Sequence, residues 1–415
     1  MSSEIPLDPP QEPGAVAVAE EAARPRRSLV SRKPADVGPL LADHDAGSLA
    51  ALLVRAGGSA SQARSAAGRV LRHVYGGRGG GGAGGAGGGL PASAGWDAAA
   101  LAGLGIGAWA HPALLALDPG AALEVAEVAP SGDETRRLVL RARDGALVEA
   151  VVIPGPARTT LCISSQVGCA RACAFCETGR LGLTRQLSAG EIVDQVRIAR
   201  ALWRGDPPLQ NIVFMGMGEP FDNLGEVLRA IRLLTDARAF GFAPSRVTVS
   251  TVGVADKIGA FFEGAQAELA VSLNAPDDAR RLPIMPVNAR FPMAALKEAI
   301  ARSLPKGRRV LFEYVLFEGY NDAPEDADLL ASYVEGIRCR VNVIPCNPGP
   351  DPRLRPPSPE RLGAFVARLS GHGITTLVRR PRGRDVGGAC GQLAGALRTR
   401  ESNSSPGSSP GSSPG

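Results

Sequence analysis

The chain reads as an α/β protein, an open parallel sheet of six strand–helix units behind a small helical accessory domain, with disordered tails at both ends. Three observations predict this. From Thr159 onward, short β-rich apolar runs alternate with helical patterns, and strands separated by helices pair in parallel. Between residues 48 and 75 the apolar residues recur instead at helical intervals. The ends carry Pro, Gly, Ser and charge without any apolar period.

Residues 1–40 hold Arg24, Arg26, Arg27, Arg32 and Lys33 and read as a disordered basic tail. Residues 41–120 form the helical domain, in which Leu49, Leu52, Leu53, Ala63, Val70, Leu71 and Val74 define two short helices broken at Gly57-Gly58. Residues 76–89 are almost pure glycine. Their backbone entropy disfavours stable structure, and no phosphate-loop lysine and serine follow, so the run reads as a flexible insertion before the helical pattern resumes at Trp96 to Leu117. Residues 121–158 are a β linker, with a hairpin over Leu138 to Ile153 turning at Asp144-Gly145. Residues 159–398 contain the six strands: Leu161–Ser164, Ile212–Met215, Val247–Ser250, Leu269–Leu273, Val310–Phe317 and Val341–Ile344. Residues 399–415 repeat Ser, Pro and Gly and read as a second disordered tail.

Composition narrows the function classes. A chain of 415 residues, 44% hydrophobic, can bury a full core and an accessory domain. Aromatic residues make up only 4%, so the core must come from Ala, Val, Leu and Ile, and stacking of bases on aromatic rings is not a major binding mode. A net charge of +5 suits an anionic partner. Seven cysteines, an odd number clustered in motifs without an apolar leader, point to a reducing cytoplasm. No run approaches eighteen apolar residues, so no membrane span is expected.

The most specific chemical signal is Cys169-x3-Cys173-x2-Cys176. Thiolates are the usual ligands of iron–sulfur clusters, and a fourth cysteine at short spacing would be expected of a cluster serving only electron transfer. Three cysteines leave one iron open for chemistry. Zinc is the alternative, but zinc motifs usually add a second Cys or His pair, and no His lies between His111 and His372. With Phe175 directly before the last cysteine, the triplet resembles the signature of the radical S-adenosylmethionine (SAM) superfamily, whose open iron chelates SAM.

The surrounding motifs are Ser164-Ser165-Gln166-Val167-Gly168-Cys169, Thr178-Gly179-Arg180, Met215-Gly216-Met217-Gly218-Glu219-Pro220 and Ala389-Cys390-Gly391-Gln392-Leu393. Together these resemble the RlmN/Cfr family of RNA adenosine methyltransferases. The resemblance implies an open (β/α)6 partial barrel whose ligands sit at the carboxyl ends of the strands, a four-iron, four-sulfur cluster, SAM, and an RNA-binding role for the helical domain. Gly218 and Glu219 would contact SAM, with Ser250, Ser272, Leu273, Asn274 and Asn347 holding the rest of it. Asn274 stands where the family usually has His. In isolation a Ser at a strand end or an Asn before Pro348 is more often a turn residue than a ligand, and only the joint pattern reverses that.

Carbon 2 or carbon 8 of adenine is too electron-poor to attack a SAM methyl group directly. In the family a cysteine takes the methyl group first, a radical from a second SAM activates it, and a second cysteine frees the product by forming a disulfide. Cys390 matches the methyl carrier and Cys162 the resolving cysteine. Glu149 matches a family proton acceptor, although by itself it reads as a surface carboxylate of the hairpin. Cys339 and Cys346 match no catalytic position. Arg379, Arg380, Arg382 and Arg384 could neutralise RNA phosphates or be a solvated loop.

Pro154 to Ala157, Glu177, Cys346 and Gly387-Gly388 depart from the family pattern and mark a divergent paralogue. The resemblance therefore implies methylation of an adenosine in 23S ribosomal RNA, and of tRNA as a second substrate, with carbon 2 preferred. Carbon 8, as in Cfr, and a radical SAM reaction on a non-RNA substrate are the alternatives. A monomer reduced by flavodoxin or ferredoxin is the implied working form.

Overall fold

The computed structural model describes residues 40–75 and 96–393. Residues 1–39, the glycine run at 76–89 and the Ser/Pro/Gly end at 399–415 lie outside them. Leu40, which the sequence reading assigned to the tail, is buried and bridges to Asp118.

Asp45 starts the first helix, Ala46–Arg55, by accepting a hydrogen bond from the Ser48 N–H at 2.8 Å, a standard N-cap. The second, Ala60–Tyr75, follows Gly57-Gly58 and turns Ala63, Ala67, Val70, Leu71 and Val74 inward. These helices share one continuous hydrophobic core with the sheet. Tyr75 packs 4.9 Å from Phe240 between ring centres, and Asp45 pairs with Arg232 at 2.6 Å.

Twelve strands follow. In chain order they are β1 Leu123–Pro130, β2 Arg136–Ala142, β3 Leu147–Ile153, β4 Thr159–Cys162, β5 Gln166–Cys169, β6 Gly182–Gln186, β7 Leu209–Phe214, β8 Val247–Thr251, β9 Glu268–Ser272, β10 Val310–Leu316, β11 Cys339–Pro345 and β12 Thr376–Val378. Ten of them form one open sheet in the order β1-β2-β3-β4-β7-β8-β9-β10-β11-β12. From β4 to β12 all pairings are parallel, and the six predicted strands are all present. Their apolar runs are what a parallel sheet under helices requires. The first crossover helix, Ala189–Leu202, begins at a capping box in which Ser188 and Glu191 satisfy each other's backbone N–H groups.

Sequence patterning missed β1, β12 and the paired β5 and β6. The expected hairpin is present as β2 and β3, and with β1 it joins the sheet as an antiparallel extension, with Val151 opposite Cys162. β1 is a half-exposed edge strand and β12 spans only three residues, so neither carries a strong apolar signal. The loop after β4 is also not irregular throughout: β5 and β6 form a hairpin, and Cys169 is the last residue of β5 rather than a loop residue. Gly168 is required there. Its φ is +77°, and a Cβ would lie 1.9 Å from the Gly182 carbonyl oxygen.

Candidate active site

The loops at the carboxyl ends of the parallel strands enclose a cavity of about 160 Å³. Cys169, Cys173 and Cys176, which the β5 terminus and the following loop present together, line one stretch of its wall. Burial pushes the Cys169 thiol up to about 12, and burial followed by the neighbouring thiols raises Cys173 well above its usual range. Burial raises Cys176 as well. Three crowded, desolvated thiols, only one of which feels a cation, Arg281 near Cys173, gain most from metal, which binds them as thiolates and releases their protons. The donor set of three thiols facing one cavity fits a four-iron cluster with one open iron. Arg171 adds a backbone N–H to Cys169 Sγ at 3.4 Å and ion-pairs with Asp222.

Gly218 and Glu219 form the next stretch of wall, held by Gln166. The Gln166 side-chain oxygen accepts the Glu219 N–H at 2.7 Å, and Gly218, with φ of +99°, packs so closely that a Cβ would meet Gln166 Cβ at 2.5 Å. The Glu219 carboxyl is 2% exposed. Burial pushes its pKa up to about 7, even though the Phe221 and Val252 N–H groups donate to it at 2.9 and 2.8 Å. A cation brought to this carboxyl would restore its charge. Ser250, Ser272 and Asn274 continue the wall, whereas the Leu273 side chain is buried in the core and Asn347 lies behind the cavity. Asn274 has φ of +58°, and its amide nitrogen and oxygen are engaged by Met285 Sδ and the Val315 N–H.

Cys390 lines the same cavity. Its loop is tied to the cysteine-rich segment by the Glu177 N–H, which donates to the Gly391 carbonyl at 2.7 Å, and to the end of β11 by Asn347 Nδ2, which donates to the Cys390 carbonyl at 3.1 Å. Cys390 is exposed, whereas Cys162 at the end of β4 is buried. Burial pushes the Cys162 thiol up to about 12, Cys390 adds to the rise, and Arg379 opposes it. The fold therefore brings Cys162 within electrostatic reach of Cys390. All seven cysteines are free thiols.

Glu149 is not the surface carboxylate that its hairpin position indicates. It is wholly buried, accepts from Arg137 Nη1 at 2.7 Å, and does not line the cavity. It lies two residues from Val151 on the strand face shared with Cys162. The basic cluster is also largely committed. Arg382 pairs with Asp133 at 3.0 Å and Arg384 Nε donates to Asn347 Oδ1 at 2.7 Å.

Arg281 escaped the sequence reading because Arg280-Arg281 looks like surface charge. It is fully buried and clamps the ends of β8 and β9, donating to the carbonyls of Val252 at 2.6 Å, Ser272 at 3.0 Å and Leu273 at 3.1 Å. Glu313 escaped for a similar reason, as one charge inside an apolar strand. Its carboxyl is 4% exposed and faces the cavity.

Residues 163–331 match the family model of the radical SAM superfamily. The chain is 77% identical to a probable RNA methyltransferase of Sorangium cellulosum over 87% of this chain and 89% of that protein. It is 45% identical to the dual-specificity RNA methyltransferase RlmN of Syntrophobacter fumaroxidans, over 66% of this chain and 80% of the relative. The crystal structure of a radical SAM methyltransferase from Sphaerobacter thermophilus matches with a TM-score of 0.73 at 37% identity, covering 86% of this chain and 99% of that one.

Proposed function

From its membership of the RlmN-like family of radical SAM RNA methyltransferases, we propose that the chain methylates carbon 2 of an adenosine in 23S ribosomal RNA, and of a tRNA adenosine as second substrate. The observation that carries the reading is one cavity lined by Cys169, Cys173, Cys176 and the exposed Cys390, with the buried Cys162 within electrostatic reach of Cys390. As a radical SAM enzyme the chain uses a four-iron, four-sulfur cluster and SAM; bound together, they supply a 5′-deoxyadenosyl radical.

Cys169, Cys173 and Cys176 hold the cluster. The Glu219 carboxylate accepts the SAM ammonium group, and Gly218 lets the backbone approach it closely. Ser250, Ser272, Leu273, Asn274 and Asn347 order the rest of the ligand, directly or through the strand ends that carry them. Cys390, on the accessible loop, takes a methyl group and presents its carbon to the base. Cys162 then attacks the Cys390 sulfur, whose bond to the product carbon breaks with its electron pair on carbon; that carbon takes up a proton to become the methyl group, and the disulfide left behind is reopened by a thiol reductant. Because the Cys162 thiol is protonated at neutral pH, its attack needs a proton acceptor, and Glu149 on the adjoining strand face is the candidate. Arg55, Arg64 and Arg72, exposed on the first two helices, offer charge to RNA phosphates. A flavodoxin or ferredoxin supplies the electron, and the protein works as a cytoplasmic monomer. Among the described residues no helix is long and apolar enough to cross a membrane.

The test is nucleoside mass spectrometry of RNA from cells that lack their own enzyme and express this chain. 2-Methyladenosine is expected. 8-Methyladenosine alone would move the reading to the Cfr reaction, and 5′-deoxyadenosine formed without any RNA product would move it to a non-RNA substrate.

A further inference from the structure

Glu313 is the one charged residue of β10, and the strand turns it inward. Its carboxyl is buried and lines the cavity, where Oε1 accepts from Asn342 Nδ2 at 3.0 Å. Among the described residues no hydrogen-bond partner reaches Oε2, although that atom is buried too. A carboxyl oxygen taken out of water without a partner costs stability. Its presence on the wall of a ligand cavity marks a place where the ligand completes the bonding.

Register fixes the depth of this place. Glu313 stands opposite Ser272 of β9 and Asn342 of β11 in the parallel ladders, so the three side chains form one lateral row on the same face of the sheet. β10 runs on for three residues beyond Glu313, to Leu316, which sets the row about 10 Å below the strand end and its loops. A base carried on an RNA chain enters from the loops, where Cys390 is exposed. A group bound at the level of the row belongs to a small ligand lying beneath that base, and Ser272, one strand away, shares the cavity wall.

The carboxyl also selects the kind of group. Burial raises the pKa of Glu313, and Arg379, whose Nη1 reaches Met215 Sδ at 3.3 Å on the same wall, opposes the rise. A hydroxyl both donates and accepts, so it bonds to Oε2 whether or not that oxygen carries a proton, whereas a cation needs the ionised form alone. The alcohol hydroxyls of SAM are those of its ribose, and a carboxylate on a ribose hydroxyl is a contact that dinucleotide-binding folds also use.

We propose that Glu313 binds a ribose hydroxyl of SAM through Oε2, with Asn342 fixing the carboxyl from its other oxygen. The inference rests on the reading of Ser272 as part of the SAM shell. Glu313 makes and breaks no covalent bond; it is a cofactor-binding residue.

The test is calorimetry of the anaerobic cluster-loaded protein with SAM and with its 2′-deoxy and 3′-deoxy analogues, in the absence of RNA. In the parent protein at least one deoxy analogue should bind about tenfold more weakly than SAM, the loss expected when a hydrogen bond to a charged group goes unmade. Glu313→Leu, which keeps the bulk and removes both oxygens, should bind SAM about tenfold more weakly and that analogue no worse than SAM. Glu313→Ala covers the case in which Leu packs poorly against Asn342. Equal affinity of the parent for SAM and both analogues, or undiminished discrimination in the variants, overturns the proposal. Unchanged SAM affinity in Glu313→Leu with RNA-dependent turnover lost would hand Oε2 to the target base and overturn it as well. Ser272→Ala, scored for SAM affinity alone, tests the shell reading separately. Because no RNA enters the calorimetry, failure to find methylated RNA would sink the functional reading and leave this result standing.

Discussion

The site holds two sets of cysteines, and they are built in opposite ways. In the cluster set, three thiols come from one short segment and are crowded and largely desolvated. In the other set, Cys162 and Cys390 come from the first parallel strand and from the far end of the described chain, and one is buried while the other is exposed. A contiguous loop suits ligands that must hold fixed positions around one inorganic body. A pair on separate elements suits sulfurs that must meet at one step and part at another. The difference implies that the cluster set tolerates no loss, whereas the thiol pair fails in two distinguishable ways.

The largest expected effect is in the cluster set. Cys169→Ala, Cys173→Ala or Cys176→Ala should each abolish both the cluster absorbance and reductive SAM cleavage, and activity retained in any one would break the contrast. The thiol pair should separate. Cys162→Ala is expected to accumulate a covalent RNA adduct on denaturing gels, while Cys390→Ala forms none; adduct in both, or in neither, would remove the division of labour between them.

A smaller effect tests how the loop that carries Cys390 is held in place. Residues 382–385 are stapled to the β1–β2 turn: Asp133 accepts from the Gly383 N–H at 3.0 Å and pairs with Arg382, while Asp385 accepts from the Gly132 N–H at 3.0 Å. Against the cost of burial, hydrogen bonds from Thr135, Gly383 and Ser131 hold Asp133 down at about 2, so the staple stays charged throughout neutral pH. Asp133→Ala should slow RNA methylation by about tenfold, equivalent to ~1.4 kcal/mol of lost positioning, and leave RNA-independent SAM cleavage within about twofold. Equal losses in both assays would mean that the two sets are not separately held.

The smallest effect lies at Glu219, beside the cluster cysteines. The buried Glu219 carboxyl has its pKa raised to about 7, so it is largely neutral below that pH and ionised above it. A ligand ammonium needs the ionised form. SAM affinity measured by calorimetry should therefore strengthen several-fold as pH rises from about 6 to 8, and Glu219→Gln should flatten the dependence. A pH-independent affinity in the parent protein would place the ammonium elsewhere.

Much of the fold was legible because parallel strands buried on both faces tend to be apolar and β-branched runs, as Val310–Leu316 is apart from Glu313 and as the Val and Thr of Val247–Thr251 are. The edges were not. β1 and β12 satisfy half their backbone groups from a neighbour that only the assembled sheet supplies, so their own sequences carry little pattern. The helical region was visible as helices, but its fusion with the sheet core depends on contacts such as Tyr75 against Phe240 that no local period encodes.

The chain's own residue order determined the three-cysteine loop, the Gly218-Glu219 turn and the alternation of strand and helix, because each depends on neighbours within a few positions. Tertiary structure alone decided which arginine of the 379–384 run faces solvent, which pairs, and which enters the cavity. It also buried Glu149 and Arg281 and brought Cys162 within electrostatic reach of Cys390. Burial and charge pairing are properties of what the completed sheet brings alongside a residue, and the elements that do so here are separated by most of the length of the chain.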